Sequence, residues 1–417
     1  RDPEMSRGLG DVYKRQLLSS GDFSPTFDVM ENNRMVLTTT QQDLTTTAST
    51  YVFLMWISES CAGDIANCTN SDNQFKYVGK SFSFNIKLET ATKTKKNLTR
   101  KTSAAGTITT LYNNATKTPV TNNSITYQYD TKNSLMKDVG GNIRYYGASP
   151  NNYIYFNCSD YSNQSSSTCE TWRIIGVFDG KIKLIRGSQI GTYAWDNKDT
   201  TTGAENNYGK NDWTDARLMK LLNPGYESEA TGGSLYYNSG SGNCYAWYSN
   251  ATTTCDFTST GIKNDITRNL ISDTTYYLGG HNSSSVYPNE IYEKERGTTV
   301  YSGRPTSWIG KIAIAYPSDY GYAADLGKCT KQLGSYNDTT CTSNNWMNTI
   351  IAPNNGWLLT PSSGNERYVW RVYSPGDVYY NIYAYIASGV APVLYLGSEL
   401  SVKAGIGSSS DPYQISV

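Results

Sequence analysis

Apolar and polar positions divide this chain into strand-like runs separated by polar loops. Residues 50–57, TYVFLMWI, are almost continuously apolar, as expected of a strand buried on both faces. Residues 81–89, SFSFNIKLE, alternate instead. Phe82, Phe84, Ile86 and Leu88 fall on one side, and Ser83, Asn85, Lys87 and Glu89 on the other, the pattern of a half-buried sandwich strand. Further on, NNYIYFNC (151–158) and CETWRIIGVFDGKIKLIRG (169–187) read as strands. Asp179-Gly180, between two apolar runs, predicts a hairpin with a primed turn. The period changes at 211–225, NDWTDARLMKLLNPG, which predicts a helix. Asn211 or Asp212 is its candidate cap, Trp213, Ala216, Leu218, Leu221 and Leu222 form its apolar face, and Asn-Pro-Gly ends it. A second helix is predicted over 261–272, GIKNDITRNLIS, with Ile262, Ile266 and Leu270 on one face. Strand patterns return at 309–321 (IGKIAIAYPSDYG), 356–361 (GWLLTP), 368–386 (YVWRVYSPGDVYYNIYAYI) and 389–396 (GVAPVLYL). Strands, two helices and further strands with long polar loops predict an α+β domain built on small antiparallel sheets.

These patterns suggest an organisation. Residues 1–16, RDPEMSRGLGDVYKRQ, carry no periodicity and resemble translated sequencing adapter; they are read as a non-native scar. On that reading the true N-terminus, with any signal peptide or anchor, is missing. Residues 17–90 read as a truncated all-β sandwich domain. Residues 91–124, rich in Thr, Asn, Lys and Ala, read as a linker with a short helix near AAGTITTLYNNA (104–115). Residues 125–417 form the larger domain.

Composition narrows the function classes. Charged residues make up 17% of the 417, below the ~25% of an average soluble chain, so solubility rests on Asn, Ser, Thr and Gly. The formal net charge is zero, which argues against nucleic acid as a partner, since phosphate neutralisation needs a basic excess. The run Lys93, Lys95, Lys96, Arg100, Lys101 reads as a solvated linker face. No apolar run approaches the ~18 residues of a membrane span, so membrane attachment is expected only through the missing N-terminus.

The eight cysteines fall as sequence neighbours: Cys61 with Cys68, Cys158 with Cys169, Cys244 with Cys255 and Cys329 with Cys341. They admit about 105 pairings, of which four local disulfides is the expectation. With no CxxC and one histidine, a zinc cluster is not expected. Disulfides place the chain in an oxidising compartment, here extracellular or on the cell surface. His281 lies in GGHNSSS, which reads as a flexible loop, and no carboxylate pair stands out for acid/base work. Neither a catalytic residue, a metal nor a cofactor is expected.

Two resemblances add to this reading. YVFLMWISES, a polar loop and YVGKSFSFNIKLET resemble the last two strands of the camelysin-like secreted sandwich proteins, some of which build biofilm fibres. The metalloprotease activity described for camelysin has no histidine or metal-spaced cluster to support it in this stretch. From about 140 to 417, the blocks TWRIIGVFDGKIKLIRGSQIGTYAWD, DWTDARLMKLLNPGY, SLYYNSGSGNCYAWYSNATTTCDFTSTGIKN, WIGKIAIAYPSDYGYA, NNWM and GVAPVLYL resemble the C-type-lectin-like domains of large bacterial surface proteins. That group includes the formylglycine-generating type and variable ligand-binding proteins, some diversified by retroelements. The resemblance implies a scaffold whose first and last strands pair and whose C-terminal strands and loops meet the ligand. Three departures limit it. Ala391 stands before Pro392 where an arginine is common. Pro288-Asn289 and Pro317-Ser318-Asp319 do not reproduce the calcium–sugar motifs, and no Trp-Asn-Asp follows. No cysteine follows Cys341, which removes the reactive cysteines of formylglycine generation.

The candidate binding surface is VYYNIYAYI, residues 378–386. Strict alternation puts Val378, Tyr380, Ile382, Ala384 and Ile386 on a core face and Tyr379, Asn381, Tyr383 and Tyr385 on the other. Trp370 and Arg371 on the preceding run are candidate neighbours. Tyr, Ser, Gly and Asn are the residues that adaptable binding surfaces use, and tyrosines outnumber phenylalanines 35 to 9. The expected function is a non-catalytic, adhesin-like ligand-binding protein of a bacterium, with a glycan, a host protein or a neighbouring cell-surface protein as partner. The alternatives are a structural subunit of an extracellular fibre and an enzyme related to formylglycine generation.

Overall fold

A computed structural model describes residues 26–31, 34–38, 103–198, 208–247 and 253–417. The chain divides into two compact units, Arg1–Lys96 and Asn97–Val417. In the first, β1 (Thr26–Glu31) and β2 (Arg34–Thr38) pair antiparallel. The strands expected at 50–57 and 81–89 and the basic run 93–101 lie outside the described residues. So do Cys61 and Cys68, and the disulfide expected between them is therefore not among those the structure describes.

The second unit is α+β with mostly small antiparallel sheets of two or three strands, as expected, beside one larger antiparallel sheet of nine strands. Seven strands of the large sheet come first in the chain: β3 (Thr118–Asn122), β4 (Ile125–Asp130), β5 (Leu135–Lys137), β6 (Ile143–Tyr145), β7 (Tyr153–Phe156), β8 (Glu170–Phe178) and β9 (Lys181–Arg186). Short strands follow in the chain: β10 (Thr192–Tyr193), then the pair β11 (Ser241–Cys244) and β12 (Thr253–Asp256) and the pair β13 (Thr274–Tyr277) and β14 (Ser307–Gly310). Then come β15 (Ile312–Ile314), a hairpin set β16 (Trp357–Pro361), β17 (Tyr368–Val372) and β18 (Val378–Tyr383), and β19 (Ser388–Gly389), β20 (Pro392–Tyr395), β21 (Ser401–Ala404) and β22 (Gln414–Ser416). The large sheet runs β15-β20-β9-β8-β6-β5-β4-β3, with β7 also on β8. Its middle strands are buried along nearly their whole length: Trp172, Ile174, Leu184, Ile185, Val393 and Leu394 are at most 1% exposed. A strand covered on both faces reads as a continuous apolar run rather than an alternating one.

Local chemistry accounts for the elements. Asp179 (φ 48°) and Gly180 (φ 74°) make the expected primed turn, and Phe178 pairs with Lys181 across it. Residues 104–114 form a full helix, Ala104–Asn114, capped by the Ser103 hydroxyl, which accepts from Gly106 N–H at 3.0 Å. It buries Ala104, Ala105, Ile108 and Tyr112. With β3, it belongs to the second unit and starts that unit earlier than the boundary read at 125. Ser103 bridges Ser401, and Ile154 of β7 bridges Tyr413, so the two ends of this unit meet, although β21 and β22 pair with each other.

The helical content also departs from the two helices expected. The first is short, Arg217–Leu222, preceded by a single turn at Trp213–Asp215 that Asp212, not Asn211, caps. The second spans Asp265–Leu270; it buries Thr267 and Leu270, and Ile266 is exposed rather than on the core face. Further helices occupy Pro288–Glu295, Pro317–Tyr322, Thr339–Thr342 and Asn348–Ile351. The strand expected over 309–321 therefore ends at Ile314. Proline at the first helical position costs nothing there, because that N–H has no partner in a helix. Tyr287 N–H donates to Glu290 at 2.8 Å and Tyr316 N–H to Asp319 at 3.0 Å, each closing a first turn.

Asp319 is also the centre of a buried charge network. Its carboxylate accepts from Arg144 at 2.8 Å and Lys183 at 2.5 Å, and Arg144 reaches Asp138 at 2.5 Å. Burial would raise the Asp319 carboxyl, but Lys183 and Arg144 outweigh it and hold it at about 2. Next to it, burial pushes the Glu295 carboxyl up to about 7, against the opposing pull of Arg296 and Ser318. The other six cysteines pair as expected, at Cys158–Cys169, Cys244–Cys255 and Cys329–Cys341. Three disulfides point to an oxidising environment. Among the described residues no helix is long and apolar enough to cross a membrane.

Candidate ligand-binding surface

The sheet β16-β17-β18 carries the residues expected to meet a ligand, but it does not present them as one row. Val369 pairs with Ile382 and Arg371 with Tyr379. Three steps along β18 thus answer two along β17, a β-bulge at Tyr380 and Asn381. An extra residue inverts the alternation beyond it. Tyr379 falls on the face of Arg371, whereas Tyr383 falls on the face of its partner Tyr368.

Ring contacts follow the same division. On one side, Tyr379 meets Tyr373 with centroids 5.1 Å apart, and the Arg371 guanidinium lies 4.2 Å from the Tyr373 ring. Hydrogen bonding with Asp377 pushes the Tyr379 phenol up. On the other, Tyr383 meets Tyr368 (4.9 Å), Tyr208 (5.2 Å) and Tyr385 (5.6 Å). Tyr385 in turn meets Tyr208 (5.5 Å) and Trp247 (5.3 Å). Hydrogen bonding with Tyr383 pushes the Tyr368 phenol up. The Arg367 guanidinium sits 5.1 Å from the Tyr208 ring. Five rings are therefore contiguous, and Tyr208 (46%) and Trp247 (43%) are among the most exposed aromatics of the described residues.

Of the residues expected at the site, Tyr383 and Tyr385 belong to this cluster, half-buried, while Tyr379 and Asn381 are exposed outside it. Trp370 does not reach the surface. It is fully buried and donates its indole N–H to His281 O at 3.1 Å. Arg371 is 5% exposed, packed on Trp357 and Tyr373, and donates to Ser388 Oγ at 2.8 Å. Their burial removes both from a contact surface. Tyr380, expected in the core, is half-buried, with its ring 6.1 Å from that of Trp370. Tyr208, Trp247, Tyr368 and Arg367 were missed because nothing in the sequence ties residues 208 and 247 to a strand at 383.

Two buried polar residues place the cluster. Asp196 accepts from Lys198 N–H (3.1 Å), Lys210 N–H (2.8 Å) and Arg217 N–H (3.1 Å). It thereby fixes the chain on both sides of Tyr208. Gly209 (φ +83°) passes so close that a Cβ would lie 2.3 Å from Asp196 O and 2.8 Å from Ala384 Cβ. Asn211, 1% exposed, donates its amide to Ser362 O, Asn365 O and Tyr368 O, and accepts from Arg304 Nε at 2.9 Å. Asn211→Ala is expected to cost about 3 kcal/mol, because it strips the amide from buried backbone acceptors. Urea denaturation reads that loss; a change below about 0.5 kcal/mol would mean the clamp carries no stability.

His281 is the chain's single histidine. Its ring stacks on Trp370 at 6.4 Å, and burial with Lys294 nearby lowers its pKa. Among the described residues no group of three or more His, Cys, Asp or Glu is arranged to hold a metal ion. Pro288-Asn289 and Pro317-Ser318-Asp319 start helices, and Asp319 is committed to Arg144 and Lys183. No protein-family model matches the chain, and neither a curated protein nor a solved structure matches it.

Proposed function

We propose that this protein is a non-catalytic ligand-binding protein that works outside the cell or on its surface and meets its partner on the five-ring cluster. The observation that carries the reading is the contiguity of Tyr208, Trp247, Tyr368, Tyr383 and Tyr385, with Tyr208 and Trp247 strongly exposed. Exposed contiguous aromatic patches mark interaction sites. Tyr and Trp combine large contact area with a polar tip at low entropic cost. The Arg367 guanidinium adds donors beside the rings for hydroxyl or carbonyl groups of a partner. A glycan suits this mixture best: its C–H faces stack on rings and its hydroxyls take guanidinium hydrogen bonds. A host protein and a neighbouring cell-surface protein are the other partner classes.

The non-catalytic part of the reading draws on His281, whose ring packs on Trp370. The C-type-lectin-like resemblance of residues 140–417 is consistent with ligands met by C-terminal strands, and remains part of the proposal.

The test is a glycan and protein array probed with wild type, with Tyr383→Ala/Tyr385→Ala and with Tyr379→Ala. Loss of two central aromatic anchors is expected to weaken binding by about thirtyfold or more. Tyr379→Ala, on the other face of the bulge, is expected to stay within about threefold, the range of energetically neutral contacts. Unchanged binding by a folded double variant sinks the proposal.

A further inference from the structure

A second site lies away from the aromatic cluster. A cavity of about 410 Å³ opens beside the start of β8, lined by Tyr153, Thr171, Arg173, Arg186, Ser188 and Thr349 among others. That volume falls in the range of small-molecule sites. Arg173 is 6% exposed. Its Nε donates to Asn152 Oδ1 at 2.5 Å and its Nη2 to Pro150 O at 3.4 Å. Its guanidinium is stacked 3.7 Å from the Tyr153 ring and 4.8 Å from that of Trp346.

All of these partners are neutral. Among the described residues Arg173 has no carboxylate within ion-pair distance, unlike Arg144, Lys183 and Arg186. Burial lowers its pKa to about 10, which leaves it cationic at neutral pH. Buried charges are normally paired, because an uncompensated one is costly to desolvate. Arg371 is also buried without an ion pair, but its guanidinium is packed on Trp357 and Tyr373 and it does not line this cavity.

The neighbouring charges cancel. Arg186 holds Glu170 through two contacts, Nε to Oε2 at 3.0 Å and Nη2 to Oε1 at 3.3 Å. The cavity therefore carries one uncompensated positive charge, surrounded by the hydroxyl-bearing side chains of Tyr153, Thr171, Ser188 and Thr349. A guanidinium fork matches a carboxylate in shape, and a single charge matches a monoanion better than a phosphate dianion. We propose that this cavity binds the carboxylate of a small hydroxylated or acylated organic acid, with Arg173 as its counter-ion. The carboxylate could be that of an acidic sugar or of an amino acid, and the two sources are separable by experiment.

The full chain is titrated by calorimetry and Trp fluorescence with glucuronate, N-acetylalanine, glucose and inorganic phosphate. At least one carboxylate is expected to bind, glucose not at all, and phosphate more weakly than that carboxylate. Glucuronate preferred over N-acetylalanine assigns the site to a sugar acid, and the reverse order to an amino-acid carboxylate; either order supports the proposal. Arg173→Met is expected to weaken carboxylate binding about tenfold or more, the scale of a charged hydrogen bond. Thr349→Trp fills the mouth from an exposed position, leaves Arg173 in place and is expected to abolish binding. If Arg173→Met does not fold, Thr349→Trp decides. No carboxylate binding, glucose binding equal to glucuronate, phosphate binding tightest, or unchanged affinity in a folded variant overturns the proposal. Tyr383→Ala/Tyr385→Ala should leave this site unaltered, so its failure and failure of the aromatic surface are distinguishable.

Discussion

Asp319→Asn is expected to lower the unfolding free energy by about 3–5 kcal/mol, the cost of breaking a buried ion pair from one side. The carboxylate is fully buried and is the shared acceptor of Arg144 and Lys183. Arg144 keeps Asp138 after the substitution, but Lys183 keeps no ion-pair partner among the described residues. A second change follows from that asymmetry. Adding Lys183→Met to Asp319→Asn is expected to recover part of the loss, because it removes the stranded charge. Equal additive losses in the double variant would refute the account.

The same network sets opposing pH limbs. The Asp319 carboxyl is held at about 2 in the folded chain against an ordinary 3.8. Its stabilisation, about 2 kcal/mol, is complete above pH 3.8 and is lost as the pH falls towards 2. Glu295 acts with the opposite sign. Its carboxyl is raised to about 7 from 4.5, so the folded state binds a proton that the unfolded chain has released. Stability therefore declines by about 3 kcal/mol as pH rises from 4.5 to about 7. Urea midpoints across pH should peak near the lower end of that interval. Glu295→Gln is expected to flatten the upper limb and spare the acid limb, whereas Asp319→Asn is expected to remove the acid limb and, by taking a like charge from beside Glu295, to shrink the upper one as well. A flat upper limb in the wild type would exclude the buried, protonated Glu295.

Reduction of the disulfides is the other large effect. Cys158–Cys169 and Cys244–Cys255 close loops of 11 residues and Cys329–Cys341 one of 12. Each is expected to contribute about 3 kcal/mol, the scale for loops of this size. Losing all three would remove a large part of the ~5–15 kcal/mol that holds an ordinary domain folded. Cys158 and Cys169 are both buried, so the Cys158→Ser/Cys169→Ser variant also leaves hydroxyls in the core. Denaturation midpoints before and after reduction, with thiol counting to verify it, give the measurement. A fully reduced chain as stable as the oxidised one would remove the thermodynamic reason for an oxidising compartment.

How much of this was legible depended on the range of each interaction. Asp179-Gly180 could be read because a primed turn is decided by two residues and their φ values. The three described disulfides could be read because their partners are sequence neighbours. Pro288 and Pro317 were legible as helix starts only in hindsight, since a proline after a tyrosine also ends strands. The aromatic row at 378–386 was misjudged for a sharper reason. Alternation assumes one residue per step, and the extra residue at Tyr380-Asn381 puts Tyr379 and Tyr383 on opposite faces.

The sequence by itself determined a β-rich α+β chain held by local disulfides, poor in charge and rich in tyrosine. Those properties depend on composition, short spacing and period. Tertiary structure decided which tyrosines share a surface, that Trp370 is core rather than contact, that Asp319 joins Arg144 and Lys183, and that Arg173 has no carboxylate partner among the described residues. Each of these depends on pairing register or on contacts between residues distant in the chain, and one inserted residue in a strand is enough to reverse which side chains meet.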